Sequence, residues 1–408
     1  MQQLLSRKIF TVKNNLYDFL LCLLIVTLPL SLKLPNIFLI LLSVFFVLDY
    51  KAIKRIPFRK LYTYSFILLG FFILYIYFHG LIFGVLGERR YSLFVPVILF
   101  PIIFLKVKKP NWILFSLLFI TLCIVIRASV NLLIYYIEHG TLNLFEGGHI
   151  NVLLSLERPY LGFLCVLSVI SCFYLSSQFK KYNVWFFLYG IFLTVFLIII
   201  SARISVLTLI IIMIIYLLFY YRISILKKSI LLFSLLFLFL IGIIYSKNLS
   251  ERLFISTNIE KSLETLNRYE PRVIIWNCSY KISNNPEFDV LFGVKSTAVL
   301  DDLYGECYKD MENKHRSDFF VASKLNSHNQ FIDIYLTVGL VGLFLFVIFL
   351  MTTIIVNIKS FYKTALLISL VLFFIVENVL GRQMGVYIFV LIIIITNLLS
   401  PYKIKYKL

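Results

Sequence analysis

Charge is scarce in this 408-residue chain, and acid is scarcest. Only 14% of the residues are charged, and Asp plus Glu number 20 against 39 Lys plus Arg. A soluble domain carries about 25% charged residues. Histidine and cysteine are thin as well. The five histidines (His79, His139, His149, His315, His328) show no HExxH spacing, and the six cysteines form no CxxC pair. Zinc sites are built on such spacings, so no metal is expected. Asp301-Asp302 is only a weak acidic pair, and nothing in the sequence calls for a cofactor. Internal repeats and low-complexity tracts are missing. So is the strict apolar–polar alternation of membrane strands, which argues against a β-barrel.

What is present is apolar. Hydrophobic residues make up 61% of the chain and aromatics 17%, including 41 Phe and 26 Tyr. Mean hydropathy is +0.95. No soluble fold buries that much apolar surface, and a spanning segment must satisfy its own backbone. The expected class is therefore an all-α polytopic membrane protein in contact with lipid.

About 20 apolar residues cross a bilayer. By that measure twelve spans are expected: 16–32, 37–48, 62–83, 93–105, 112–136, 160–175, 185–200, 204–221, 230–245, 331–356, 366–376 and 386–399. The basic start of the chain is followed by two closely spaced apolar runs with no small-residue cleavage site. The first run therefore reads as a retained span.

Net charge is +19. In a soluble protein that would point to nucleic acid. Here the cations lie in KAIKRIPFRK (51–60), KVKKP (106–110), FKKY (179–182), YRISILKKS (221–229), NIKSFYK (357–363) and the tail PYKIKYKL (401–408), none with an acid. These alternate connections are all cytoplasmic if both termini are cytoplasmic, as the positive-inside rule favours. No nucleic-acid partner is expected. The organisation reads as nine spans over 1–245, one large outer loop over 246–330 with amphipathic helices, and three spans over 331–408. Cys278 and Cys307 both lie in that loop. In an oxidising compartment they can pair, but sequence alone does not give their separation.

Ionisable groups at membrane depth are costly and default to functional candidates. Arg203, in IIISARISVLTL, starts a span with almost no loop before it. It is either a snorkelling interface residue or an anion ligand at a helix N-terminus. Arg158, followed by Pro159, opens another span as an anchor, a partner of Glu157, or a ligand. In RYEPRVIIWNCSYKI, Arg268 and Arg272 are four apart and share a face. Val273, Trp276 and Tyr280 recur at helical spacing, so an amphipathic interface helix is expected, with Pro271 in its first turn. Glu377 and Arg382 bracket the last outer turn and read most simply as a pair holding it. Glu88, Arg89 and Arg90 cluster at the outer end of the third span, and Arg127 lies inside the fifth. His328 stands at the membrane edge, just before the span 331–356.

Several outer arginines with one histidine at a membrane surface suit a specific chemistry. Arginine's planar fork matches pyrophosphate, and histidine removes a proton from a hydroxyl near neutral pH. That set fits transfer of a group from a lipid pyrophosphate to a hydroxyl.

These residues resemble the O-antigen ligase and polymerase family of bacterial envelope enzymes. The matching features are Arg272-x3-Trp276, Asn285-Pro286, Phe292-Gly293, then His328-Asn329 with Gly339, Gly342 and Phe346 entering the next span. ERRYSLFVPVILFP (88–101) and ENVLGRQMGVYIF (377–389) also look like family segments. Two departures are the missing second glycine in FGVKS and Phe331 where Leu is common. The resemblance implies a metal-independent, inverting GT-C glycosyltransferase of the bacterial inner membrane with its active site facing the periplasm. The donor would be a glycan on polyprenyl pyrophosphate. The acceptor would be a lipid A core sugar for a ligase, a lipid-linked repeat unit for a polymerase, or a protein hydroxyl in a third branch. His328 would be the acceptor-activating base, Arg203 and Arg272 pyrophosphate ligands, with Arg158, Asn329, Arg268 and Trp276 contributing to binding. A lipid-linked glycan transporter is the rival class, but the halves show no matching broken spans.

Overall fold

The computed structural model describes residues 2–49, 58–140, 147–222, 224, 226–231, 270–311 and 313–398. Arg268, the tail 401–408 and the ninth expected span beyond residue 231 lie outside the described residues.

The described chain is helical. Its helices are α1 (Gln2–Thr27), α2 (Leu34–Leu48), α3 (Tyr64–Ile82), α4 (Arg89–Leu93), α5 (Val95–Phe104), α6 (Asn111–His139), α7 (Gly147–Leu154), α8 (Arg158–Gln178), α9 (Asn183–Ile199) and α10 (Arg203–Ile215). After the large loop begins come α11 (Pro271–Ser283), α12 (Thr297–Lys309), α13 (Lys314–Ser323), α14 (Gln330–Asn357), α15 (Phe361–Val376) and α16 (Gln383–Leu398). Among the described residues strand pairing is limited to one isolated bridge, Asp289–Gly293. Six helical stretches there are long and apolar enough to cross a membrane: Tyr64–Ile82, Asn111–His139, Ile150–Gln178, Lys180–Ile199, Arg203–Tyr220 and Gln330–Asn357. Five shorter apolar helices accompany them. The molecule is an all-α membrane protein.

The apolar run near residue 93 is two helices rather than one. The chain turns at Phe94, and Pro96 sits in the first turn of α5. Proline lacks the N–H that a continuing helix would need, so it favours a restart.

The chain divides into two compact units. One comprises 1–48, 107–262 and 360–372, the other 49–106, 263–359 and 373–408. In the first, α8 packs against α6, α9 and α10. Its side chains are buried nearly all round, from Tyr160 to Leu175, the signature of a central helix. The hydroxyl of Ser168 donates to Thr121 Oγ1 at 2.9 Å across the α8–α6 contact.

In the second unit, α3 packs along α14 and α5 along α16. The loop helices α11 to α13 build their own small core from Ile275, Cys278, Ile282, Leu300, Tyr304, Tyr308 and Phe320, closed below by Leu336 of α14. Cys278 and Cys307 are joined by a disulfide across it. Ser279 and Tyr304 share a hydrogen bond of 2.6 Å inside it. The loop is thus a folded element seated on α14. The helix α11 is amphipathic. Its buried stripe is Ile275, Cys278, Ser279 and Ile282, whereas Trp276 and Tyr280 are 36% and 68% exposed.

The helix α14 is broken at Gly339, which has φ 73° and ψ −172°. The turn 289–294 fits into the break. Leu340 N–H donates to the Val290 carbonyl (2.9 Å), and Val294 N–H donates to the Leu336 carbonyl (2.8 Å). The Val338 carbonyl accepts from Tyr75 OH at 2.8 Å. His79 Nε2–H donates to the Phe292 carbonyl at 2.9 Å. Backbone groups that the broken ladder leaves open are satisfied by the turn and by α3. A Cβ on Gly339 would collide with the carbonyl of Leu291. Of the two motif glycines, Gly342 is the one that permits close packing on α3, since its Cβ position lies 3.0 Å from Tyr75. Gly339 instead admits a loop.

Candidate functional site

His328 sits immediately ahead of α14 in the second unit. Its backbone is left-handed, at φ 44°, a conformation that costs a non-glycine residue about 1–2 kcal/mol. The surroundings hold it there. Its N–H donates to Asn326 Oδ1 at 3.1 Å. Asn329 caps α14, its side-chain oxygen accepting from Phe331 N–H (2.9 Å) and Ile332 N–H (3.1 Å), the standard satisfaction of a helix start. Its Nδ2 donates to the Ile375 carbonyl at 3.0 Å. The Trp276 indole N–H donates to the Ser327 carbonyl at 3.0 Å. Asn329 and Trp276 thus fix the backbone on either side of His328. Strained backbone held in this way is common at functional sites.

The side chain of His328 meets Glu377. Its Nδ1 lies 3.4 Å from Glu377 Oε2. On the other carboxylate oxygen, Arg272 Nη2 lies at 3.5 Å. Both distances are long for hydrogen bonds but within ion-pair reach. Glu377 is 3% exposed. Arg272 is held further by Glu270, with Nη1 to Oε1 at 3.0 Å, and by two donations to the Val376 carbonyl at 3.2 and 3.3 Å. The structure therefore assembles Arg272, Glu377 and His328 into one row. In the sequence Glu377 reads most simply as a turn residue paired with Arg382, with a role at the site as the lesser alternative.

Electrostatics in this row favour one function over another. One guanidinium faces two carboxylates, so the cluster leans negative. It does not favour a pyrophosphate on Arg272 while Glu270 is in place.

Arg158 and Arg203 belong to the first unit. Each opens its helix, α8 and α10 respectively. The two helices meet closely near their starts, since a Cβ on Gly162 would lie 3.3 Å from the Ala202 Cβ and would collide with Ser205 Oγ. Arg158 is 6% exposed, and its N–H donates to Asn151 Oδ1 at 3.1 Å. It is an enclosed residue. Arg127 is exposed midway along α6.

Glu88 has a defined role as well. Its carboxylate accepts from Ser296 Oγ (2.6 Å) and from Thr297 N–H and Oγ1, at the N-terminus of α12. Burial pushes its carboxyl up, but these hydrogen bonds and the Arg90 charge outweigh that and hold it below the ordinary value. An anion at a helix start is favourable, and here it ties the loop domain to the α3–α4 corner. Among the described residues, no group of three or more His, Cys, Asp or Glu side chains is placed to hold a metal ion. In comparisons with known proteins, the chain matches no protein-family model and none of the curated proteins.

Proposed function

We propose that this chain is a bacterial inner-membrane glycosyltransferase of O-antigen ligase type. It moves a glycan from polyprenyl pyrophosphate to a hydroxyl of the lipid A core. The observation that carries the reading is the Arg272–Glu377–His328 row, buried at its centre and set at the entry of a membrane-length helix. A lipid-anchored donor keeps its pyrophosphate at that depth.

The step follows from the row. Glu377 accepts from Nδ1–H of His328, which leaves Nε2 as the acceptor nitrogen. Nε2 takes the proton of the acceptor hydroxyl. The acceptor oxygen attacks the anomeric carbon from the side opposite the pyrophosphate. The bond from that carbon to the pyrophosphate oxygen breaks, and the polyprenyl pyrophosphate leaves with the electron pair. The anomeric centre inverts. Glu377 stabilises the imidazolium. Arg272 braces Glu377 and reaches a pyrophosphate only by releasing Glu270. Arg158 and Arg203 carry the expectation of anion binding at the paired starts of α8 and α10.

Twelve spans with cytoplasmic termini put α11 to α13 in the periplasm. The disulfide supports that side, since disulfides persist in oxidising compartments. The exposed Trp276 and Tyr280 suit an interface with lipid headgroups.

The test is deletion in the native host and complementation with wild type and His328→Ala, followed by analysis of lipopolysaccharide and lipid-linked glycans. Loss of surface glycan with accumulation of long polyprenyl-linked polymer supports the ligase. Lipopolysaccharide bearing a single repeat with no long polymer would make it a polymerase. Normal glycans in both pools would remove the reading.

A further inference from the structure

A second polar cluster lies one helical turn along α14 from His328, and the proposed step leaves it unused. It consists of Arg90, Asp333, Thr337 and Asn378, all in the second unit. Arg90 Nη2 donates to Thr337 Oγ1 at 3.0 Å. The same hydroxyl donates to the Asp333 backbone carbonyl at 2.6 Å. The Asp333 carboxylate accepts from the Asn378 side chain and feels the charge of Arg90. Thr337 is fully buried and Asn378 is 5% exposed, whereas Arg90 and Asp333 are partly exposed. Thr337 and Asn378 thus form a buried base beneath two half-buried side chains.

One bond is missing from it. Arg90 Nη1 is enclosed and has no hydrogen-bond partner, although the carboxylate of Asp333 attracts it. An unsatisfied enclosed donor is costly. A group that accepts from Nη1 and donates to the Asp333 carboxylate would satisfy both. A hydroxyl does this with one oxygen. An anion would be repelled by Asp333, and a cation by Arg90. The cluster therefore selects a neutral polyol.

We propose that Arg90 and Asp333 form the acceptor-sugar subsite, holding one hydroxyl of the acceptor glycan while a second is presented to His328. This rests on the transferase reading above. Two stretches of chain fix the spacing. Asp333 N–H donates to the Asn329 carbonyl at 2.9 Å, the first turn of α14, so Asp333 stands about 6 Å of helical rise beyond Asn329, the residue after His328. Asn378 directly follows Glu377. A sugar held at Asp333 is therefore registered against the base by both α14 and the 377–378 backbone.

The test is equilibrium binding to the full chain in lipid nanodiscs, with two probes. The first is lipid-free core oligosaccharide hydrolysed from rough lipopolysaccharide. The second is undecaprenyl pyrophosphate. Asp333→Asn keeps the shape of the side chain, and Arg90→Gln is the second variant. Each should weaken oligosaccharide binding at least tenfold and leave undecaprenyl pyrophosphate binding within twofold. Failure of the wild type to bind the oligosaccharide, or equal binding by wild type and both variants, overturns the subsite. Equal loss of both probes in both variants also overturns it, because that marks a structural role only. Oligosaccharide binding that depends on Asp333, in a protein that does not bind undecaprenyl pyrophosphate, upholds the subsite and removes the donor reading instead.

Discussion

His328 Nδ1 lies 3.4 Å from Glu377 Oε2, although 49 residues separate the two in sequence. A carboxylate that is 3% exposed fixes which imidazole nitrogen carries the proton. Glu377→Gln preserves the shape but lets the amide present either a donor or an acceptor. The expected result is a fall in kcat of about 10²-fold or more, within the range for a mispositioned general base. KM for the lipid-linked donor should change little. A wild-type kcat in that variant would remove Glu377 from the mechanism.

Arg272 faces Glu270 at 3.0 Å and Glu377 at 3.5 Å. If it is to meet a pyrophosphate, Glu270 must let go. Glu270→Gln should then tighten binding of undecaprenyl pyrophosphate several-fold, measured by titration into nanodisc-held protein. Unchanged affinity would make Arg272 a brace for Glu377 and nothing more.

The disulfide joins residues 29 apart in the small loop core. Closing a loop of that length constrains the unfolded chain by about 3–4 kcal/mol in the chain-entropy model. The double variant Cys278→Ser with Cys307→Ser should destabilise the loop helices by an amount of that order, read as faster hydrogen exchange in α11 and α12. The helices of the first unit should keep their protection. Peptide mapping under non-reducing conditions should recover the Cys278–Cys307 linked pair from wild type.

Gly339 has φ 73°, and its missing Cβ is where Leu291 enters. Gly339→Ala puts a side chain at φ 73°, ψ −172°, a region open essentially to glycine alone, at a penalty of about 1–3 kcal/mol, and adds an overlap with the turn backbone. Thermal unfolding should show a clear loss of stability and exposure of the turn 289–294 to proteolysis. Gly190→Ala, with nothing within 4 Å of the new methyl, is the control and should be neutral or mildly stabilising.

The Glu88 carboxyl is held below its ordinary value by the α12 N-terminus. A group shifted in that direction contributes stability that is complete above its unfolded value, about 4.3. That contribution is lost as pH falls through the lower folded value. Hydrogen exchange at the start of α12 should therefore accelerate below about pH 4.3 in wild type. Glu88→Gln should flatten that acid limb.

Much of the architecture was legible along the chain. Apolar run length marks membrane helices because lipid offers the backbone no partners. Pro271 and Pro159 mark helix starts because the first turn needs no N–H from them. His328 and Arg272 stood out because charge and imidazole are rare in so apolar a sequence. Three features depended on contacts between distant segments. Glu377 looked like a turn residue until α11 and the start of α14 were brought against it. Gly339 stood only as a motif position, because nothing local says that a turn some 45 residues upstream will enter the helix there. Arg90 and Asp333 are 243 positions apart, and nothing in the segment around either one points to the other. A sequence states the cost of each residue in lipid or water, which determines the class, the helices and the list of candidates. Which candidates share one site is decided by tertiary packing, because hydrogen bonds and ion pairs act over a few ångströms of space and are indifferent to separation along the chain.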